Sequence, residues 1–346
     1  MQRLIDIGER KLTDLILSKY VDGNFGDDCS ELIVGGAHIV VTTDPVPRPA
    51  AFVIGGDPDL YWMGWLLVTI NASDLAAAGA TPLGFLAALD LEREMPLSEL
   101  ERLLSGIRDA CRHEGLLYIG GNVREAKQLA AVGTAIGTTN SMPGLRRVGA
   151  SDGDQLVIIG SGGRFWADAI AIRQGGQVTR ETSPLFRPTS QLAPMKRLRE
   201  AGLIAAAMDN SDGLLPSLSL LGKANNLAAV LDLGVLNMHR ATADAAKSLG
   251  IRPAARLWLG WGDWNVVCAV HPKDLARVLE QASVERFEAT HCGYFEAARS
   301  GVFVRNEEVI VPAPRLESER FASDSWFATG IESYIDALKK CDLPSS

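Results

Sequence analysis

The chain has little that would suit it to nucleic acid, membrane or an oxidising compartment. Its 42 acidic residues outnumber 34 basic ones, a balance of −8, which argues against nucleic acid or an anionic membrane surface as the main partner. No run approaches the roughly 18 apolar residues needed to span a bilayer. The opening "MQRLIDIGERKLTDLIL" alternates charged and apolar residues at helical spacing and lacks the continuous apolar stretch of a signal peptide. The five cysteines (Cys29, Cys111, Cys268, Cys292, Cys341) are odd in number and form no CxxC, so they read as reduced thiols of a cytoplasmic protein. The five histidines are scattered with no pair at ligand spacing, which excludes an ordinary zinc site.

Familiar phosphate and catalytic patterns are missing too. There is no GxxxxGK[ST], no GxSxG and no HExxH, and "GSGGRF" at 160–165 lacks the third glycine of a dinucleotide fingerprint. The acidic turn at 22–31 follows a calcium loop for three positions. It then places Asp27 where the loop glycine belongs and no glutamate at position 12.

What is present is a soluble, globular composition: 47% hydrophobic and 22% charged over 346 residues, a length that suits two domains. Two β-like runs, "LIV" and "HIVVTTD", precede a Pro/Gly-rich loop at 45–59. The segment from Leu66 to Ala78 then reads as a buried helix stopped by Gly79 and Pro82. A strand "PLGFLAALDL" follows, then a helix with a capping box at Ser98 and Glu101 and a stop at Gly115, then strands "LLYIGG" and "LAAVGTAIGTT". This order predicts an α+β domain with helices packed on one sheet. A turn-rich joint places a boundary near residue 145, giving domains 1–145 and 146–346. The second mixes the strands "LVIIG" and "WNVVCAVHP" with the helices "GLLPSLSLLGKAN" and "DLARVLEQA".

Four acidic turns remain as candidates for chemistry: Asp27 and Asp28; Thr43 and Asp44; Asn71 and Asp74; and Asp209, Ser211 and Asp212. One aspartate in a glycine-rich turn ordinarily caps or shapes the turn. Asp74 is different, because it sits in "INASDLAAAGATP", where a lone buried carboxylate costs several kcal/mol, roughly, unless paired or ligated. Asn71, three residues away, shares its helix face but brings no charge. Carboxylates converging from separate elements repel one another unless cations lie among them. Magnesium suits such a set, because it completes its shell with water and substrate phosphates.

In this order, "GDDCSELI", "VTTD", "INASDLAAAGATP", "YIGGN", "RVGASDGD", "MDNSDGLL" and "WLGWGDWNVVCAV" resemble the thiamine-monophosphate kinases. More broadly they resemble the superfamily of aminoimidazole ribonucleotide (AIR) synthetase, selenophosphate synthetase and the hydrogenase-maturation dehydratase. The resemblance implies a two-domain AIR synthetase-like (PurM-like) fold, Mg-ATP as cofactor, a small-molecule substrate and a homodimer formed through the N-terminal sheet. By the same resemblance Asp27, Asp28, Asp44, Asp74 and Asp212 form the magnesium cage, with Arg147 and Asp212 as catalytic groups. Thr43, Asn71, Gly121, Asn122, Arg147 and Ser211 match cofactor-binding positions, and Asp209, Asp263 and Trp264 lie towards the acceptor.

This chain departs from the kinase pattern at four places. Asn122 stands for the aspartate of GGDT; the loop at 45–59 lacks the histidine of a Gly-x-His-Phe segment. Leu66 replaces a lysine, and "WGDWNV" replaces "GGEDYE". The expectation is a phosphotransferase whose acceptor is not thiamine monophosphate. Two alternatives stand beside it: a synthetase that activates an amide or carboxylate oxygen, and a non-catalytic homologue that binds a nucleotide or a partner.

Overall fold

The computed structural model describes residues 3–7, 9–15, 17–22, 26–236, 239–306, 309–314, 316 and 331–340. Cys341 and residues 23–25 of the acidic turn lie outside them. In chain order the N-terminal part comprises α1 (Glu9–Leu15), β1 (Ser30–Val34), β2 (Ala37–Pro45), α2 (Ala50–Val53), α3 (Leu60–Ala77), β3 (Thr81–Glu92), α4 (Leu97–Glu114), β4 (Leu117–Ala126) and β5 (Ala130–Asn140). Its five strands form one sheet in the order β1-β2-β5-β3-β4, antiparallel except for β3 beside β4.

The second part follows with β6 (Gln155–Ile159), α5 (Arg164–Arg173), α6 (Leu192–Glu200), β7 (Ala206–Asp209), α7 (Leu214–Asn225), β8 (Ala228–Asp232) and α8 (Arg240–Ser248). It continues through β9 (Val266–Val270), α9 (Leu275–Glu285), β10 (Ala289–Glu296), β11 (Gly301–Asn306), β12 (Val309–Pro312) and α10 (Ile331–Lys340). A seven-stranded mixed sheet, β12-β11-β8-β10-β6-β9-β7, is its centre. The architecture is two-domain α+β.

Helix α3 joins the two parts. Nearly every one of its side chains is buried, with no polar stripe, as expected of a helix packed on all sides. It starts six residues earlier than the sequence suggests, because Asp59 caps it: its Oδ1 accepts the amide of Tyr61 at 2.9 Å. Gly79, at φ +65°, ends it in the left-handed conformation that glycine adopts without strain. On one side α3 meets α4 at a glycine–glycine crossing. A Cβ on Gly64 would stand 2.2 Å from the Leu103 carbonyl oxygen, and one on Gly106 2.0 Å from that of Tyr61. On the other side Trp65 Nε1 and Thr69 Oγ1 donate to the Pro188 carbonyl at 2.8 and 3.1 Å, and Arg199 Nε donates to that of Gly79 at 2.8 Å. These bonds tie α3 to the second domain.

Helix α4 corrects the expected capping box. Pro96 is the N-cap and makes no side-chain bond, so Ser98 already lies inside the first turn. Gly115 closes the helix at φ +73°, as expected. The described cysteines, Cys29, Cys111, Cys268 and Cys292, are free thiols.

Candidate active site

Where the two domains face each other, a cleft of about 960 Å³ opens. Three carboxylates meet on its wall. Asp28 precedes β1, Asp74 belongs to the last turns of α3, and Asp209 ends β7. One oxygen from each lies within 4.8 Å of the others. Asp74 Oδ2 accepts the Thr42 hydroxyl at 2.6 Å, and Asp209 accepts the hydroxyls of Ser73 and Ser211, each at 3.3 Å. Asp28 is held by the Arg147 guanidinium, whose Nε lies 3.1 Å from Oδ1. Asp44 completes the group, near enough to Asp74 for their carboxyl groups to hydrogen-bond.

Electrostatics at this spot are adverse without a cation. Burial, and then the charges of Asp209, Asp44 and Asp28, push Asp74 well above the usual carboxylate range. Burial and the Asp28 charge push Asp209 up to about 8. Asp28 is raised by burial despite Arg147, and the adjacent Cys29 thiol is raised by burial and by the same carboxylates. A divalent ion would relieve this repulsion, and all-oxygen donors suit Mg²⁺.

Several expected site residues lie elsewhere or do something else. Asp27 turns away from the cluster: its two oxygens accept Arg146 Nε at 2.8 Å and the Arg147 amide at 2.9 Å. Asp27 therefore anchors the segment that carries Arg147. Asp209, expected towards the acceptor, stands in the carboxylate cluster instead. Asn71 is a bracket, with its amide on the Leu67 carbonyl and its oxygen receiving the Asp44 amide at 3.2 Å. It places Asp44 through the backbone. Thr43 lines the cleft, but its hydroxyl donates to the Gly133 carbonyl at 2.9 Å. Ser211, Asp212 and Trp264 also line it.

Gly121 and Asn122 are on β4, the exposed edge of the first sheet, and do not line the cleft. At Gly121 a Cβ would come 1.8 Å from the Ala87 carbonyl oxygen, so glycine is required by the β3–β4 approach. Asp263 caps α5, accepting the amides of Gly163 at 2.6 Å and Phe165 at 3.0 Å. Its raised value, about 7, comes first from burial. Thr42 and Ser73 escaped sequence reasoning altogether. Each adjoins a motif aspartate in the chain, and that adjacency was the available signal.

Comparison with known proteins agrees with this architecture. Residues 26–139 match the N-terminal domain, and residues 151–305 the C-terminal domain, of AIR synthase related proteins. The thiamine-monophosphate kinase of Halobacterium salinarum is 31% identical over 77% of this chain and 83% of its own length. That of Aquifex aeolicus is 24% identical over 79% and 88%. Among solved structures, "AaThiL complexed with AMPPCP and TMP" superimposes with a TM-score of 0.76 at 23% identity, covering 89% of this chain and 97% of that one. Escherichia coli HypE, a hydrogenase maturation protein, gives 0.62 at 18% identity over 79% and 85%. With both domains matched in order and a kinase relative aligned over most of its length, the chain belongs to the AIR synthase related family and is similar to its thiamine-monophosphate kinases.

Proposed function

We propose that the protein is an Mg-ATP-dependent phosphotransferase acting on a small acceptor other than thiamine monophosphate. The observation that carries this reading is the meeting of Asp28, Asp74 and Asp209 on the cleft wall. Four nearby carboxylates are strongly destabilising alone and become an asset when they share cations with a polyphosphate. The kinase relatives, and the ATP analogue named in the superimposed complex, support the choice of nucleotide.

Magnesium, held by Asp28, Asp74 and Asp209 with Asp44 alongside, would neutralise phosphate charge. The chain's own groups supply positioning. Thr42 and Ser73 fix the carboxylate orientations, and Arg147, anchored through Asp27 and Asp28, brings a guanidinium to the cleft. In the transfer the acceptor oxygen bonds to the γ-phosphorus as the bond to ADP breaks, and the acceptor's proton leaves to solvent. Catalysis of this kind is positioning plus charge stabilisation.

A homodimer formed through the first sheet accompanies this reading. Edge strand β4 exposes Leu117 (69%), Ile119 (55%) and Val123 (62%), and an open apolar edge is stable when another strand covers it.

The test is calorimetric titration of AMPPCP into wild type and Asp74→Asn, with and without Mg²⁺. Binding that needs Mg²⁺ and falls at least tenfold in the variant is expected. Equal affinity in all four titrations would reject the site.

A further inference from the structure

A chain of buried side-chain hydrogen bonds runs behind the cleft wall. Ser217 Oγ donates to Asn210 Oδ1 at 3.3 Å, Asn210 Nδ2 to Asn265 Oδ1 at 2.9 Å, and Asn265 Nδ2 to the Ser161 carbonyl at 3.0 Å. Ser217, Asn210 and Asn265 are each no more than 1% exposed, and none of them lines the cleft. The direction of the chain is forced from one end. A carbonyl only accepts, so Asn265 must turn its Nδ2 to Ser161 and its Oδ1 to Asn210. Asn210 then answers with Nδ2 and leaves its own oxygen for the Ser217 hydroxyl. Bonds aligned head to tail polarise one another, and the loss of one member leaves buried partners unsatisfied.

The chain crosses the strand ends beside the carboxylate cluster. Asp209 is the last residue of β7 and faces Val266 of β9 in register. Asn210 and Asn265 form the next step beyond it, joined also through the backbone, with the Asn210 amide on the Asn265 carbonyl at 2.9 Å. On either side of Asn210, Asp209 and Ser211 line the cleft, while its own side chain turns inward to Asn265. Trp264, just before Asn265, is held at φ +50°, a conformation that persists only where flanking structure fixes it.

Asp209 has an oxygen within 4.8 Å of oxygens of Asp28 and Asp74, so charge repulsion pushes the end of β7 away from the cluster. The strand end needs an anchor that adds no charge. A lysine or arginine there would pair with Asp209 and compete with the cation. A neutral amide holds the backbone and leaves the carboxylate its charge.

Building on the cation site of the phosphotransferase reading, we propose that Asn265 is a positioning residue for that site, acting through Asn210 on Asp209. It touches neither ion nor nucleotide. It sets how closely Asp209 approaches Asp28 and Asp74.

The test titrates Mg²⁺ into the full chain with thermal stability as readout, and measures AMPPCP binding by calorimetry at several Mg²⁺ concentrations. Asn265→Leu keeps the branched shape and removes both side-chain bonds, so it should raise the Mg²⁺ concentration for half-maximal effect roughly fivefold. Ser217→Ala removes only the far end of the chain and should raise it roughly threefold. If Asn265→Leu does not fold, Ser217→Ala decides. In both variants AMPPCP affinity should return to within twofold of wild type once Mg²⁺ is saturating. A residue that only supports the fold lowers the melting temperature and leaves the Mg²⁺ midpoint where it was. Unchanged midpoints, or an AMPPCP deficit that saturating Mg²⁺ does not repair, overturn the assignment. Wild type that binds Mg²⁺ but not AMPPCP rejects the phosphotransferase reading alone, and the Mg²⁺ midpoints still decide on Asn265. Wild type that binds neither rejects both.

Discussion

Thr42 and Asp74 are 32 residues apart in sequence, yet the hydroxyl of one lies 2.6 Å from the carboxylate of the other. The bond links β2 to α3 on the wall of the cleft. Hydrogen bonds to charged groups contribute roughly 1.5–3 kcal/mol. Thr42→Val keeps the shape and loses the donor, so Asp74 should hold its charge less readily. Apparent Mg²⁺ affinity, read by titrating thermal stability, is expected to fall about tenfold or more, since each factor of ten is about 1.4 kcal/mol. An unchanged titration would show that Asp74 does not bind the ion.

The metal-free protein should lose stability as pH rises. Asp209 has a folded value of about 8 against an ordinary 3.8. Between these values the folded state holds a proton that the unfolded state has released. The folded state thus binds more protons, and stability declines from about pH 4 through about 8. Asp74 is shifted the same way and adds to the slope. Because Mg²⁺ competes with these protons, its stabilising effect should grow over the same interval. Melting curves at pH 5, 7 and 9, with Mg²⁺ and with chelator, measure both trends; parallel curves would refute them.

Asp263 supplies a contrasting case. Its carboxylate caps α5 through two backbone amides, and removing such a cap costs about 0.5–2 kcal/mol. Asp263→Ala should lower the melting temperature with the nucleotide affinity of the folded protein nearly unchanged. A variant of full stability that lost only acceptor binding would return Asp263 to the substrate.

The exposed strand β4 makes a prediction about assembly. Ile119→Lys and Val123→Lys together put two charges on its open surface, where they disturb no core. The double variant should sediment as a monomer at micromolar concentration, with wild type a dimer, and keep its circular dichroism. Wild type that is itself monomeric would reject the interface.

Local pattern carried much of the fold. Gly79 and Gly115 end their helices where glycine permits a left-handed turn, and the run of small apolar residues around Asp74 marked a buried helix correctly. What local pattern could not show was pairing over distance. The two oxygens of Asp27 go to residues more than a hundred positions away, and this separates it from its neighbour Asp28. Asp263 looked like a binding acid because nothing nearby in sequence needed a cap; the helix it caps begins 99 residues earlier, at Arg164. At Ser98 the fault was local: a proline one step before the helix took the N-cap position. Asn122 matches a motif, but the strand that bears it lies on the outer edge of its own sheet.

The crossing of Gly64 and Gly106 bears on how the cleft can move. Backbone touches backbone there, leaving no layer of side chains to shear. Helices α3 and α4 should thus behave as a single strut, with Asp74 rigidly mounted near its end. Any narrowing of the cleft around a ligand must then be borne by the elements packed around this strut, among them the turn that carries Asp28 and the strand end that carries Asp209. Amide exchange should divide along that line, slow through α3 and faster in the turns that approach it.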